Sequence, residues 1–349
     1  AVDQELPFGV RGTLEGVYSR GINDVVFENL NIFQSGESIY GRPFYGDAFG
    51  FDRGAINQID ENFTNALLLK NTSENYQYSI TGTLEKRFDF GLRTNLSYTY
   101  NRAMNVNNGT SSRAISNWQF NENVDVNNPR IGTADFERRH RILGIVSYEL
   151  DWASRFATTF SLIYDGRSGT PFSWIYIGNA NGDTQRFNDL IYVPANEDEV
   201  VLLSDNWNEL DEWIRSEDSV NDFRGGFVDR NSAREPWTDF LDFRVNQRIQ
   251  TFNGQSVEFS ASMINVLNFL NNEWGVRRGT QFNNHAVIFI DGYVDQEFID
   301  DNPTLGLGAG DTGKPVISFD PEDTTDEEIF DVSDFSSRWQ MQFTVRYNF

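Results

Sequence analysis

Three features predict an all-β fold in the form of a membrane-spanning antiparallel barrel. Segments alternate apolar and polar residues, connections alternate between very short and very long, and charge keeps to one face of each segment. A hydrophobic content of 39% with 15% aromatics supplies enough greasy surface for a core or a lipid-facing band. No segment approaches the roughly 18 consecutive apolar residues of a membrane helix; the longest apolar run is AVIFI at 286–290. That excludes a helical membrane protein and leaves a soluble all-β protein or a barrel.

The last segment shows the alternation most clearly. From Trp339, the residues Met341, Phe343, Val345, Tyr347 and Phe349 line one face, while Arg338, Gln340, Gln342, Thr344, Arg346 and Asn348 fill the other. Upstream, Tyr78, Ile80, Leu84 and Phe88 oppose Ser79, Thr81, Thr83 and Glu85, and Leu92, Leu96 and Tyr98 oppose Arg93, Asn95 and Ser97. Ile142, Val146 and Tyr148 oppose Arg141, Ser147 and Glu149; Phe156, Phe160, Leu162 and Tyr164 oppose Ser161 and Asp165. Leu241, Phe243 and Val245 oppose Asp242, Arg244 and Asn246, and Val257, Phe259 and Met263 oppose Glu258, Ser260 and Ser262. With a first strand running from Phe8 past Phe27, about eight strands are expected.

The connections decide between sandwich and barrel. Asp89-Phe90, Asp151 to Ala153 and Thr251 to Gly254 read as tight turns, whereas the links near 34–65, 104–137, 167–236 and 268–336 are long. Soluble domains rarely carry several loops of that size. Outer-membrane barrels pair short periplasmic turns with long extracellular loops, which puts the C-terminus in the periplasm. Arginines 11, 87, 93, 139, 141, 155, 244, 248, 338 and 346 fall on the polar face. Lys86, Arg102 and Asp239 share parity with the apolar face, but each lies beside a turn or loop, where its head group can reach the interface.

The net charge of −24 is local. Residues 196–222 carry ten acidic side chains and one basic, and 295–334 carry thirteen and one, leaving −3 for everything else. A general basic face for nucleic acid is therefore absent. Cysteine is also absent, which removes disulfides and thiolate chemistry. The start, AVDQELPFG, has no basic segment followed by an apolar one, so it does not read as a signal peptide.

The segments RNSAREPW (230–237), LDFRVNQRI (241–249), MINVLNFLNNEWG (263–275) and SRWQMQFTVRYNF (337–349) carry a more specific signal. With ELPFGVRGTLEGVYSRGINDVVFENLN (5–31) and TGTLEKRFDFGLRTNLSYTYNRA (81–103), they resemble the C-terminal barrel part of TonB-dependent receptors of the Oar-like kind found in Bacteroidota. The resemblance covers nearly all strands and is weakest in the loops. It implies the last eight strands of a twenty-two-stranded barrel around an N-terminal plug that is absent here. It also implies import of a scarce solute (peptide, glycan or metal chelate) driven through TonB. Phe343, Val345, Tyr347 and Phe349 would be the terminal signal read by the barrel-assembly machinery, and outer-membrane lipid would surround the strands. ELPFG at 5–9 resembles the turn KRFDFG at 86–91, so residues 1–5 would be the tail of a preceding strand. The alternative is a non-transporting barrel that anchors or adheres, its acidic loops meeting an extracellular partner.

Candidate sites are few. His140 and His285 have no Cys and no neighbouring His, and GxSxG, HExxH and P-loop spacings do not occur, so no catalytic, cofactor or metal residue is expected and the chain does not read as an enzyme. NANGD at 179–183 has the look of a calcium loop, yet Thr184 and Leu190 stand where such a loop needs Gly and Glu, and an Asx-rich turn fits better. The carboxylates Asp295, Glu297, Asp300, Asp301, Glu322, Asp323, Asp326, Glu327 and Glu328 could gather loop-bound Ca²⁺, though a solvated face is the plainer reading. Residues 206–217 predict a helix with Asn206 as N-cap and Leu210, Trp213 and Ile214 on one face. Its Trp207 and Trp213 are candidates for stacking on a ligand, with packing as the alternative.

Overall fold

The computed structural model describes residues 1–46 and 56–349, so the 47–55 part of the expected 34–65 loop lies outside the described residues. One antiparallel meander runs through β1 (Val2–Leu6), β2 (Val10–Arg20), β3 (Tyr76–Arg87), β4 (Leu92–Asn105) and β5 (His140–Ala153). It continues through β6 (Phe156–Arg167), β7 (Thr238–Gln250), β8 (Ser256–Ile264) and β9 (Gln340–Asn348). Each strand pairs with the next, Gly132–Thr133 adds a short strand beside β4, and among the described residues neither β1 nor β9 has a second neighbour in the sheet.

Register aligns like with like across much of the sheet. Thr81 faces Thr99, Ser147 faces Ser161 and Asn246 faces Ser260 on one side; Leu162 faces Phe243 and Phe259 faces Val345 on the other. The polar side is laced by side-chain bonds: Thr81 to Thr99 at 2.9 Å, Thr83 to Ser97 at 2.9 Å, Asn95 to Glu85 at 2.8 Å and Arg141 to Asp165 at 2.9 Å. Glu149 meets both Arg93 and Arg248. On the apolar side Phe343, Phe259 and Leu162 are 77%, 47% and 43% exposed. Each large apolar side chain taken out of water contributes about 2 kcal/mol, so this band is stable against hydrocarbon and costly against water.

The tight turns need particular backbones. Phe8 holds the β1–β2 turn at a φ of 64°, and Asn253 and Gly254 hold the β7–β8 turn at 55° and 80°. Gly91, at a φ of 95°, lies against the Glu149 carbonyl, where any Cβ would overlap that oxygen. At the strand ends, Lys86 sits 4.5 Å above the Phe88 ring and Asp239 accepts the Trp237 indole N–H at 2.8 Å, so both off-face charges are held at an edge.

Four expectations change. The first strand does not run on past Phe27. It stops at Arg20, and Asp24–Asn29 starts a separate two-stranded ribbon with Leu67–Thr72, because Gly21 turns aside to bond Asn75. The turn expected at 151–153 lies at 154–155, since β5 absorbs Trp152 in an irregularity of its register. Arg139, Arg155 and Arg338 lie outside the strands and have no face assignment. The polar face is not uniformly polar: Ile145 pairs with Ile163, and Leu143 shares their side with Arg141 and Asp165.

The two longest loops form a body of their own. A five-stranded mixed sheet takes Val201–Leu202, Pro315–Phe319, Asn284–Tyr293, Pro171–Ile177 and Ala233–Arg234 in that order, with parallel pairs between the loops. Trp174, Ile175, Ile191, Leu210, Ile214, Ile288 and Ile317 build its core. The expected helix is there as Trp207–Ser216, with Leu210, Trp213 and Ile214 buried. Asn206 takes the N-cap position without making the cap bond; its amide instead reaches the Glu209 carboxylate and the Phe319 carbonyl, fastening the helix to the sheet.

A strap from the first loop locks this body. Arg42, 1% exposed, bonds Asp189 at 2.6 Å and the Leu190 carbonyl, and its guanidinium lies 4.8 Å from the Phe227 ring centre. Within NANGD, Asn179 accepts from Gly182, Asn181 from Asp183 and Asp183 from Gln185, the signature of successive Asx turns. Burial, then the nearby Asp189 carboxylate, pushes Asp183 up to about 7; burial, then Asp135, does the same to Glu122. A carboxyl whose folded pKa is raised contributes stability that is full below about pH 4 and lost as pH rises through about 7. Hydrogen exchange across 171–193, corrected for intrinsic rates, is therefore expected to show easier opening at pH 8 than at pH 5, with the difference reduced in Asp183→Asn. Equal or greater protection at pH 8 contradicts the assignment.

Candidate functional site

A cavity of about 780 Å³ lies between the loop body, the loop-side end of β4 and the segment that leads into β5. Its volume lies in the range of small-molecule sites, about 300–1,000 Å³. One wall is basic. Glu137, fully buried, gathers three guanidiniums, from Arg139 at 3.0 Å, Arg102 at 3.5 Å and Arg234, while its second oxygen accepts the Ala103 N–H at 2.7 Å. Three cations on one carboxylate give this cluster a net charge of +2, and Asp229 also lines the cavity. Burial pulls Arg234 down, and Glu137 is the next influence and holds it up.

The segment RNSAREPW builds this wall by tying separate loops together. Arg230 donates to the Asn121 side chain at 2.6 Å and the Val106 carbonyl at 3.1 Å, and also to Asn105. Its Nε is buried without a hydrogen-bond partner. Asn231, at a φ of 59°, donates to the Thr133 carbonyl at 2.7 Å and Asp135 at 2.8 Å, and its own N–H goes to Ser173 at 2.9 Å. Glu235 accepts the hydroxyl of Thr170 and the N–H of Thr280. Gly169 is needed here because a Cβ would overlap the Glu235 backbone.

The opposite wall is acidic. Glu217 and Asp218 stand at the C-terminal end of helix Trp207–Ser216, Asp222 follows one turn on, and Asp326 comes from the second long loop. None of these four forms an ion pair among the described residues. Glu217 is pushed above the usual carboxylate range by burial first, then by Asp326 and Asp218. Phe172 and Trp174 form the floor, with the Phe330 ring edge-on to Phe172 at 5.8 Å.

This cavity caps a sheet with one face greasy and one face wet, and residues 1–282 match the family described as Outer membrane beta barrel domain. The chain belongs to that family. No curated protein and no solved structure matches it.

In this outer-membrane barrel protein Asp326 is the one carboxylate of the proposed Ca²⁺ group that lines the cavity, while the tryptophans, histidines and terminal aromatics singled out by sequence do their packing elsewhere; the tryptophan in the floor is Trp174. Trp213 is buried edge-on to Trp174, with ring centres 5.5 Å apart, and Trp207 is half-buried against the same core, so both pack the loop body. His140 bonds the Tyr98 hydroxyl at 2.7 Å at the loop-side end of the greasy face, and His285 sits edge-on to Trp174 with burial holding its pKa down. Phe343, Val345 and Tyr347 lie on the exposed face of β9, and Phe349 follows its end. Asp295 and Asp320 cap helical turns, and among the described residues no group of three or more His, Cys, Asp or Glu is placed to hold a metal.

Sequence reading missed the cavity because its walls come from segments far apart in the chain. The usable signals were the acidic run at 196–222, which supplies Glu217, Asp218 and Asp222, and the dense polar motif RNSAREPW. Glu137→Gln is expected to cost about 3 kcal/mol of loop-body stability, because it leaves three guanidiniums sharing a neutral amide. Denaturant unfolding in detergent, followed by the buried tryptophans of that body, measures it. A loss below ~1 kcal/mol, the scale of an ordinary surface ion pair, removes Glu137 from this role.

Proposed function

We propose that this chain is the C-terminal barrel part of an Oar-like TonB-dependent receptor that actively imports a scarce solute across the outer membrane. In that reading β2–β9 are the last eight of twenty-two strands, the long loops are extracellular and the C-terminus is periplasmic. The observation that carries it is the apolar patch of Leu143, Ile145 and Ile163 amid the ion pairs of the polar face. A lumen holding only water gives such a patch no partner, whereas a folded plug inside the barrel would cover it and meet the surrounding charges. The unpaired edges of β1 and β9 support further strands, since lipid cannot satisfy bare N–H and C=O groups.

In the proposed cycle the loop-side cavity captures the solute, and the TonB complex, acting through the plug, opens the path. Phe343, Val345, Tyr347 and Phe349 would present the last strand to the barrel-assembly machinery. The second reading, an anchoring or adhesive barrel, draws on the acidic exterior of 295–334, which could meet an extracellular partner or Ca²⁺. Cells carrying the complete gene distinguish the two. Uptake of radiolabelled solutes from a nutrient extract is expected to depend on the gene and to stop when the proton gradient is dissipated. Gene-dependent surface binding with no uptake, whatever the gradient, favours the anchor and contradicts import.

A further inference from the structure

The cavity is more selective than its volume suggests, because its charges have not neutralised one another. On the barrel side Arg102 and Arg139 keep 26% and 31% of their side-chain surface exposed while sharing Glu137 with Arg234. On the loop side Asp218 and Asp326 are exposed and Glu217 is half-buried, and none of them engages a guanidinium or ammonium among the described residues. Side chains this long and mobile would ordinarily pair if they could reach. That they do not means the walls are held apart by the scaffold, Glu137 on one side and the helix end on the other. A cavity with fixed, opposed charges favours a solute whose own charges are separated in the same sense, and it is already organised to receive it.

Resting on the import reading above, we propose that the solute is a short peptide with free termini, its ammonium groups against Glu217, Asp218 and Asp326 and its carboxylate against Arg139 and Arg102. The alternatives fit less well on charge and shape. A neutral glycan gains nothing from opposed charges and uses open aromatic faces, yet Phe172 and Trp174 are each 1% exposed and the Trp174 indole N–H is already given to Ser219 at 2.9 Å. An anionic metal chelate would meet the acidic wall with no cation between. A peptide answers both walls, and a volume of about 780 Å³ accommodates one of a few residues.

Calorimetric titration of the protein purified from the outer membrane in detergent tests this with defined probes. The tetrapeptide Lys-Ala-Phe-Ala with free termini is expected to bind. Its C-terminal amide should bind at least tenfold more weakly, and Asp218→Asn with Asp326→Asn should weaken the free peptide at least tenfold. Both carboxylates are exposed, so the fold tolerates these changes, and circular dichroism verifies it. Affinity should fall as salt is raised from about 50 to 500 mM, because the Debye length contracts several-fold. Maltotriose and ferric citrate should not compete. The proposal is overturned if amidation and the double variant leave affinity unchanged, if maltotriose or ferric citrate displaces the peptide, or if no probe binds. Binding needs neither TonB nor a gradient. Peptide binding without uptake therefore strikes only the import reading, and uptake of a non-peptide solute strikes only this one.

Discussion

Hydrocarbon offers no hydrogen-bond partner, so a strand crossing it must bond to other strands on both sides and show lipid only carbon and hydrogen. This constraint organises the chain. From β2 to β9 the register keeps Leu162, Phe243, Phe259 and Val345 together on one side and the Ser, Thr, Asn and paired charges on the other. A slip of one residue in the β6–β7 or β7–β8 pair would turn Arg244, midway along β7, toward lipid, which costs about 2–4 kcal/mol near the midplane. The Asp165–Arg141 and Glu149–Arg93 contacts then make the wet side a bonded surface rather than a row of solvated charges.

That constraint also explains which parts were legible in the sequence. Period 2 is forced wherever one face meets lipid, so β3 to β9 could be read within a few residues from alternation alone. Helix Trp207–Ser216 was legible for the analogous reason, its Leu210, Trp213 and Ile214 stripe burying one side. The loop-body sheet lacks such a signal: Pro171–Ile177 is buried on both faces, and its residues cannot show alternation. Its pairings are also remote. Arg42 and Asp189 are 147 positions apart, and nothing local to either announces the other. The split of the first strand at Gly21 was lost because residues 24–29 continue to look like a strand, pairing elsewhere.

The loops are thus not slack connections. Two of them share a core of tryptophan and isoleucine, and the first reaches across to lock them through Arg42. Buried charge is costly unless paired, and here it is spent on position. Asp189 fixes the strap, and Glu137 fixes three arginines at the edge of the membrane-spanning sheet. The result is a cavity whose walls are set before anything enters it. RNSAREPW is the piece of sequence that joins loops, sheet and cavity, through Arg230 to Asn121, Asn231 to Asp135 and Arg234 to Glu137.

Which side of the sheet meets lipid can be measured directly. Single tryptophans at 162, 259 and 343, in a background whose own tryptophans are replaced by phenylalanine, can be reconstituted with lipids brominated along their acyl chains. Strong quenching at all three, and little at Ser161, Ser260 and Thr344 substituted in the same way, is the expected result. Quenching of the second set but not the first would place the greasy face inside protein and contradict the membrane-barrel assignment.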